Sequence, residues 1–257
     1  MNGKEKPIGV FDSGIGGLSV LKQAVKVLPN EDFIYFGDSK NAPYGTKNLD
    51  ELKKLVSNVV EFLISKKVKA ILVACNTATS ATVDDLRKNY DIPIIGIEPA
   101  LKPAVELHRE GKILVMATPV TLSEKKFNIL MEKYKKDADI VPFPCGGLAE
   151  LIEKGDLKSK EITKYLTEKL KDYKSSKIAS IVLGCTHYPF IKSQIHEIVN
   201  KDIPIIDGSL GTSKQLKRQL INLNLLSEKQ EKGYVHIYNS LQDPKVNDLS
   251  YKLMTNV

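Results

Sequence analysis

Two of the three cysteines in this sequence end similar apolar segments. Cys75 follows Ile71-Leu-Val-Ala and precedes Asn-Thr, whereas Cys185 follows Ile181-Val-Leu-Gly and precedes Thr-His. A free cysteine has a pKa of about 8.5, so thiol and thiolate are both accessible near neutral pH. Each cysteine also precedes a helical pattern, and the dipole at a helix N-terminus stabilises a thiolate. Two such groups on opposite sides of a carbon atom would remove a proton from one face and return one to the other, which inverts a stereocentre.

Two ionisable residues are expected to tune these thiols. Asp12 should lie beside Cys75, and His187, two residues after Cys185, should lie beside that second thiol. A charged neighbour shifts the pKa of a thiol and so sets how readily it gives or takes a proton. A hydrolase that uses Cys185 and His187 alone is an alternative, but it leaves Cys75 without a function.

Small polar residues near the cysteines suit a substrate with a carboxylate. Asn76, Thr77 and Thr186, together with backbone N–H groups, could bind a carboxylate and stabilise negative charge that develops when a proton leaves. The Gly-rich turn Asp12–Gly17 follows an apolar run and should bring Asp12 and Ser13 to the mouth of a cleft. These residues therefore form the predicted binding surface around the thiols.

The cysteine segments belong to a longer internal repeat. Asp-Ile-Pro-Ile-Ile follows each of them, beginning at Asp91 and at Asp202. Short runs of Val and Ile occupy matching places in the two halves and alternate with amphipathic segments, which is typical of parallel strands joined by helices. The predicted strands are Ile8–Phe11, Phe33–Phe36, Ala70–Ala74, Ile94–Ile97, Ile113–Met116, Ile140–Phe143, Ile178–Leu183 and Ile205–Ile206.

The repeat predicts an α/β fold of two similar tandem domains with mainly parallel four-stranded sheets. A pseudo-twofold axis should relate them, with the active site between them. We expect the first domain to comprise residues 1–98 plus a C-terminal return at 211–257, and the second to comprise residues 99–210. Ligands bind beyond the carboxyl ends of parallel strands. Thr118 and Thr121 lie at such an end and join the candidate site.

No cofactor and no metal site are predicted. The turn Asp12–Gly17 lacks the spacing of the dinucleotide-binding fingerprint, because Ser19 occupies the position of its third glycine. The four histidines show no spacing typical of metal ligands. The third cysteine, Cys145, ends a loosely matched strand, and we expect it to be a buried structural residue.

Composition excludes several classes of protein. The chain has 257 residues, of which 42% are hydrophobic and 27% charged, so it is neither disordered nor a membrane-spanning protein. Three sparse cysteines and a polar start without a signal peptide favour a cytoplasmic location. The net charge is +7, but nearly all basic residues are lysines interleaved with acidic ones, so no nucleic-acid partner is expected. A non-catalytic basic binding protein stays an alternative.

Five motifs together resemble the aspartate/glutamate racemase superfamily, and among its members the glutamate-specific ones. They run in that family's order: Asp12-Ser-Gly-Ile-Gly-Gly17, Pro43-Tyr-Gly45, Ala74-Cys-Asn-Thr-Ala78, Glu98-Pro99 and Cys185-Thr-His-Tyr-Pro189. The resemblance covers the chain from Ile8 to about Gly211. It implies a cofactor-independent enzyme that interconverts L- and D-glutamate, and a related racemase or decarboxylase of another acid is the alternative within this class.

The resemblance also implies roles for matched residues. Cys75 and Cys185 would be the acid/base pair, with Cys75 serving D-glutamate and Cys185 serving L-glutamate. Asp12 and His187 would assist proton transfer, and a further catalytic glutamate corresponds to Glu153, with Glu150 as a competitor. The predicted substrate-binding residues are Asp12, Ser13, Pro43, Tyr44, Gly45, Asn76, Thr77, Thr118, Thr121, Thr186 and His187. Members of the family supply D-glutamate for peptidoglycan in the bacterial cytoplasm and are often homodimers.

Overall fold

The computed structural model describes residues 3–173 and 176–255, and nine strands in this part of the chain form two parallel sheets. The first sheet has the order β4-β3-β1-β2-β9 and the second the order β6-β5-β7-β8. The strands are β1 (Ile8–Asp12), β2 (Phe33–Gly37), β3 (Ala70–Val73), β4 (Ile94–Gly96), β5 (Lys112–Ala117), β6 (Asp139–Pro144), β7 (Ile178–Leu183), β8 (Ile205–Asp207) and β9 (Val235–Asn239).

The strand orders confirm the internal repeat. Read from β8, the second sheet runs β8-β7-β5-β6, which is the order β4-β3-β1-β2 of the first sheet. All eight predicted strands are present, each within one residue of its predicted ends. The third strand of each repeat, β3 or β7, therefore leads to the equivalent cysteine, as the sequence indicates.

The prediction of a four-stranded first sheet is wrong, because β9 adds a fifth strand. It pairs in parallel with β2, from Phe33 opposite Val235 to Gly37 opposite Asn239. The eight predicted strands are short and almost wholly apolar, whereas β9 is an edge strand that alternates buried and partly exposed residues. Because β9 is not a continuous apolar run, the sequence pattern does not indicate it as a strand.

Helices cover both faces of the two sheets. Alternate residues of a strand face opposite sides, so Val10 and Phe11 of β1 enter different apolar clusters, as do Leu114 and Val115 of β5. The α-helices are α1 (Leu18–Val27), α2 (Leu49–Ser65), α3 (Asn76–Asn89), α4 (Leu101–Val105), α5 (Pro119–Ser123), α6 (Lys125–Tyr134), α7 (Leu148–Glu153), α8 (Lys160–Leu170), α9 (Lys192–Ile198), α10 (Ser209–Asn222) and α11 (Pro244–Thr255). None of the helices in the described residues is long and apolar enough to cross a membrane.

The C-terminal segment packs beside the first sheet, with α10 and α11 against α1. Two acidic residues that precede β2 bind the segment between α10 and β9. Glu31 accepts a hydrogen bond from Ser227 N at 2.8 Å, and its other oxygen lies 2.5 Å from the buried Lys69 Nζ. Asp32 accepts a hydrogen bond from Tyr234 N at 3.1 Å.

The domain boundaries that the sequence indicates remain a prediction. Residues 1, 2, 256 and 257 of the first predicted domain lie outside the described part of the chain.

The buried pair of Lys69 and Glu31 should be needed for stability. Lys69→Ala leaves the Glu31 carboxylate buried without its cation, which should lower the free energy of unfolding by about 3–5 kcal/mol in denaturant titrations. Lys53→Ala, which breaks the exposed pair with Asp85, is the matched control and should leave the midpoint almost unchanged. Equal shifts in both variants would contradict the proposed importance of the buried pair.

Candidate active site

The carboxyl ends of strands from both sheets bring the predicted site residues together. Asp12 is the last residue of β1, and Cys75 comes two residues after β3. In the second sheet, Thr118 directly follows β5 and Cys185 comes two residues after β7. All four side chains are buried, and polar contacts described below join the two sheets at this place.

Asp12 is the anchor of the Gly-rich turn. Its Oδ2 accepts hydrogen bonds from Gly14 N at 3.2 Å and Gly17 N at 2.9 Å, while its Oδ1 accepts one from Thr186 Oγ1 at 3.2 Å. Burial raises the pKa of this carboxyl, and the positive charge of His187 and the two backbone N–H groups oppose that rise. One carboxylate thus links a turn of the first sheet to the segment that carries Cys185.

Two glycines of this turn allow a close approach by the second sheet's residues. A Cβ atom on Gly14 would lie 1.9 Å from Glu153 Oε1, and one on Gly16 would lie 2.3 Å from His187 Nδ1. A Cβ atom at either place would displace the Glu153 carboxylate or the His187 imidazole, so the arrangement as it stands uses glycine at both positions. The glycines therefore serve close packing against a carboxylate and an imidazole, which is a different use from cradling a nucleotide phosphate.

Cys185, His187 and Glu153 form an array in which each side chain contacts the next. The Cys185 Sγ lies 3.7 Å from His187 Nδ1, and His187 Nε2 lies 2.5 Å from Glu153 Oε1. The same Glu153 oxygen accepts a hydrogen bond from Ile15 N at 2.6 Å. Burial favours a neutral imidazole, but hydrogen bonds to Cys185 and Glu153 outweigh it and raise the pKa of His187 well above its usual value. Burial likewise disfavours the Glu153 carboxylate, yet contact with His187 keeps the pKa of Glu153 below its usual range.

Cys75 has a different environment. It caps the N-terminus of α3, where its Sγ accepts a hydrogen bond from Ala78 N at 3.5 Å. Burial raises the pKa of Cys75 strongly, and negative charge on Asp12 and on Cys185 raises it further, against the N–H groups of Ala78 and Ser13. Cys75 therefore responds to the charge of Asp12 and, to a smaller extent, to that of the second thiol.

The expectation that both cysteines lie at helix N-termini is correct for Cys75 and wrong for Cys185. Cys185 precedes a 3₁₀ turn, Tyr188–Ile191, and α9 begins only at Lys192. Pro189 lies within that turn and has no N–H group to donate, so a regular helix does not start directly after the cysteine. Cys185 therefore has the imidazole of His187 as its neighbour instead of a helix dipole.

Three threonine hydroxyls form a further contact between the two sheets. Thr77 Oγ1 lies 3.1 Å from Thr118 Oγ1 and 3.2 Å from Thr121 Oγ1, and Thr118 Oγ1 lies 3.0 Å from Thr121 Oγ1. Next to them, the amide oxygen and nitrogen of Asn76 are buried without a hydrogen-bond partner among the described residues. An orphaned buried amide is costly, so it marks a place where a polar ligand would be stabilised.

The loop Pro43–Gly45 closes the site from the first sheet. Tyr44 is fully buried, and its hydroxyl donates to Asp38 Oδ2 at 2.7 Å. A Cβ atom on Gly45 would lie 3.0 Å from the Cβ of Thr118, so this loop lies directly against the second sheet's threonine. The peptide bond before Pro43 is cis.

The competition between Glu150 and Glu153 is resolved in geometric terms. Both lie on α7, but only Glu153 contacts His187. Glu150 lies towards Tyr165, where it acts with burial and the nearby Cys145 to raise the pKa of that phenol. Cys145 is buried in an apolar cluster, burial raises its pKa to about 12, and its Sγ lies 3.4 Å from the carbonyl oxygen of Phe143, as expected for a structural residue.

Four polar residues of the site were missed from the sequence. Ser19 donates to Thr186 O at 2.8 Å, and Tyr35 donates its hydroxyl to Gly14 O at 2.6 Å. Ser39 donates to Glu153 Oε2 at 3.4 Å and accepts from Asn239 Nδ2 at 2.9 Å. Ser39 comes two residues after β2, so its place near a strand end could have indicated it as a site residue. Asn239 gave none, because β9 itself was not predicted.

Several relatives and solved structures similar to this chain are named glutamate racemases. A glutamate racemase from Clostridium botulinum is 60% identical over 253 residues, which cover 98% of each chain. The structure of a glutamate racemase from Francisella tularensis in complex with D-glutamate has a TM-score of 0.83 at 33% identity, covering 98% of this chain and 95% of the other. A glutamate racemase isoform from Bacillus anthracis has a TM-score of 0.87 at 29% identity, with coverages of 97% and 94%.

The family profile extends over both sheets. The Asp/Glu/Hydantoin racemase profile matches residues 8–210, from the first residue of β1 to the beginning of α10. This range contains both cysteine segments, the Gly-rich turn and α7 with Glu153, so the match covers the whole site except Asn239. The chain is a member of the Asp/Glu/Hydantoin racemase family.

Proposed function

We propose that this protein interconverts L- and D-glutamate by moving protons at the α-carbon between Cys75 and Cys185, without an added cofactor. Relatives that share 60% identity over nearly the whole chain carry the activity name, which supports glutamate as the substrate. The observation that carries the proposal is the pair of buried cysteines that follow the equivalent strands β3 and β7. A repeated fold supplies one acid/base group for each face of the α-carbon.

The proposed reaction needs two opposite proton transfers. A thiolate on one face removes the α-proton, and the electron pair left on carbon is delocalised into the α-carboxylate. The thiol on the other face then donates its proton to that carbon, which gives the enantiomer and leaves the second sulfur as thiolate. His187 and Glu153 support the face of Cys185, and Asp12 supports the face of Cys75. The reverse reaction starts from the opposite protonation state.

The binding groups divide into two sets for the two carboxylates. We assign the side-chain carboxylate to Ser13 and the loop Pro43–Gly45, whose Tyr44 is fixed by Asp38. We assign the α-carboxylate to the amide of Asn76 and the hydroxyls of Thr77 and Thr186. Thr118 and Thr121 contact the Thr77 hydroxyl and complete this set. The unpartnered amide of Asn76 supports this assignment, because a carboxylate would supply its missing acceptor.

The cellular setting follows the same proposal. D-glutamate is needed for peptidoglycan, so we place the protein in the cytoplasm of a bacterium as a supplier of that amino acid. A homodimer is proposed as its working form. Nucleic acid is not proposed as a partner, since the lysines lie among acidic residues and few arginines are present to read phosphate or bases.

Circular dichroism of free glutamate tests the activity directly. Purified protein, dialysed against a chelator, is incubated with L-glutamate alone, and the signal of the amino acid should decay to zero as the racemate forms. The same assay with D-glutamate should reach the same end point. Activity on aspartate or a malonate but not on glutamate would favour the alternative racemase or decarboxylase, and restoration only by metal or pyridoxal phosphate would refute the cofactor-free mechanism.

Substitution of each thiol should separate the two faces. Cys75→Ser and Cys185→Ser should each lower racemisation in both directions by about 10²–10⁴-fold, because every turnover needs one base and one acid. A glutamate analogue with a leaving group on the β-carbon needs only proton removal before it eliminates. We expect Cys185→Ser to retain elimination from the D-enantiomer and Cys75→Ser to retain it from the L-enantiomer.

Two results would contradict this two-face mechanism. One is near-normal racemisation by both variants, and the other is loss of elimination from the same enantiomer in both. Cys145→Ser is the matched control, since that thiol lies among core residues of the second sheet and contacts a backbone carbonyl. It should keep both racemisation and elimination.

The charge on Asp12 should set the titration of Cys75. This carboxylate disfavours a nearby thiolate and so contributes to the raised pKa of Cys75, second to burial. Asp12→Asn should therefore move the thiolate absorbance of Cys75 near 240 nm to lower pH, with Cys75→Ser variants as blanks. Asp84→Asn is the control. It removes an exposed carboxylate from α3, the helix that Cys75 caps, and should leave the pH at which Cys75 titrates unchanged. An unchanged or upward shift in Asp12→Asn would show that Asp12 does not act on this thiol.

A further inference from the structure

We propose that Ser39 and Asn239 are positioning residues for proton transfer at Cys185, acting through Glu153 and His187. Their hydrogen bonds continue the array behind Cys185 across the interface of the two sheets and end on β9. The proposal rests on the proposed function in one respect, namely that Cys185 serves one face of the substrate. It adds two residues, one of them beyond the range of the family profile.

The orientation of the Asn239 amide is fixed by its own neighbours. Its Oδ1 accepts a hydrogen bond from Leu241 N at 2.9 Å, so its Nδ2 must be the atom that faces Ser39 Oγ, 2.9 Å away. The Asn239 side chain is buried, at 8% exposure of the residue, which favours a single arrangement. Asn239 therefore donates to Ser39 and cannot accept from it.

This donation fixes the direction of the Ser39 hydroxyl. With one lone pair of Oγ occupied by Asn239, the O–H is free to donate towards Glu153 Oε2, 3.4 Å away. The other carboxylate oxygen of Glu153 accepts from Ile15 N at 2.6 Å and lies 2.5 Å from His187 Nε2. Each oxygen of Glu153 thus has its own donors, and Ser39 holds the carboxylate plane in which Oε1 meets the imidazole.

Only one thiol lies at the end of this array. Cys185 Sγ lies 3.7 Å from His187 Nδ1. Cys75 Sγ instead accepts a hydrogen bond from Ala78 N at the start of α3 and has Asp12 as its charged neighbour. The ionisable groups that act on His187 are Cys185 and Glu153, and Asp12 also interacts with it. Loss of the Ser39 contact should consequently weaken the support of one face of the substrate and leave the other face as it is.

Two substitutions interrupt the array in different ways. Ser39→Ala removes the hydroxyl, whereas Asn239→Asp keeps the shape and the bond from Leu241 N but turns a donor into an acceptor. The Ser39 hydroxyl would then donate to the new carboxylate and turn away from Glu153. Ser39→Thr retains a hydroxyl and should restore function. Ser240→Ala is the matched control, because its Oγ accepts a bond from Lys40 N between the same strand end and the same turn, outside the array.

The β-elimination assay measures the two faces separately. In Ser39→Ala and Asn239→Asp, we expect elimination from the enantiomer that Cys185→Ser fails to process to fall by about tenfold, the size expected from losing a hydrogen bond to a charged group. Elimination from the other enantiomer should stay within about twofold. A loop that merely holds the shared side-chain carboxylate would affect both enantiomers alike. Equal losses on both faces, or no loss on either, would overturn the proposal.

A second readout is independent of any substrate. The ¹⁵N resonances of His187, assigned by comparison with His187→Asn, should titrate at lower pH in Ser39→Ala than in the unmodified protein, because a less firmly held Glu153 stabilises the imidazolium less. Ser240→Ala should leave the titration unchanged. An unaltered His187 titration in folded Ser39→Ala overturns the array even if glutamate proves not to be the substrate. Absence of glutamate racemisation in the unmodified protein would refute the proposed function alone.

Discussion

The arrangement of the site depends on the contacts that the Glu153 carboxylate makes with Ile15 N and His187 Nε2. The carboxylate reaches from α7 of the second sheet into the Gly-rich turn of the first, where Ile15 N donates to it, and it meets His187 with the same oxygen. Gly14 leaves room for it, because a Cβ atom there would lie 1.9 Å from Glu153 Oε1 and displace the carboxylate. This carboxylate thus links the turn of the first sheet to the imidazole that lies beside the Cys185 thiol.

The same contact explains why two equivalent thiols differ in their electrostatics. Burial alone opposes charge on every group in the site, and each group is charged only where a partner compensates. The positive charge of His187 is stabilised by Glu153 and Cys185. A thiolate at Cys75 is disfavoured by the carboxylate of Asp12 and is stabilised by backbone N–H groups that include Ala78 N at the start of α3. The two sheets are therefore similar in fold, but Cys75 and Cys185 have different charged neighbours. This difference suits a reaction in which one of the two sulfurs begins as the base and the other as the acid.

The sequence predicted most of the fold because parallel strands that are buried on both faces leave an unmistakable apolar run. The repeat predicted that polar residues gather at strand ends, and Asp12, Cys75 and Cys185 do lie at or just after the ends of β1, β3 and β7. The sequence missed β9, whose alternating pattern reflects an edge strand with one partly exposed face. It left Glu150 and Glu153 undecided, since both lie within one short helix and only the packing of α7 against the Gly-rich turn separates them. Ser39 and Asn239 are 200 residues apart in sequence, and nothing local marks such a pair.

The central claim, one thiol for each face, is tested most directly by racemisation in D₂O. With two bases, the proton that leaves L-glutamate stays on one sulfur while the other sulfur delivers a solvent-derived deuteron. Chiral separation and mass spectrometry of the first turnovers should therefore find deuterium at the α-carbon of all newly formed D-glutamate, and protium in the remaining L-glutamate. D-glutamate that keeps the α-proton of its substrate would show that a single base serves both faces and would contradict the account.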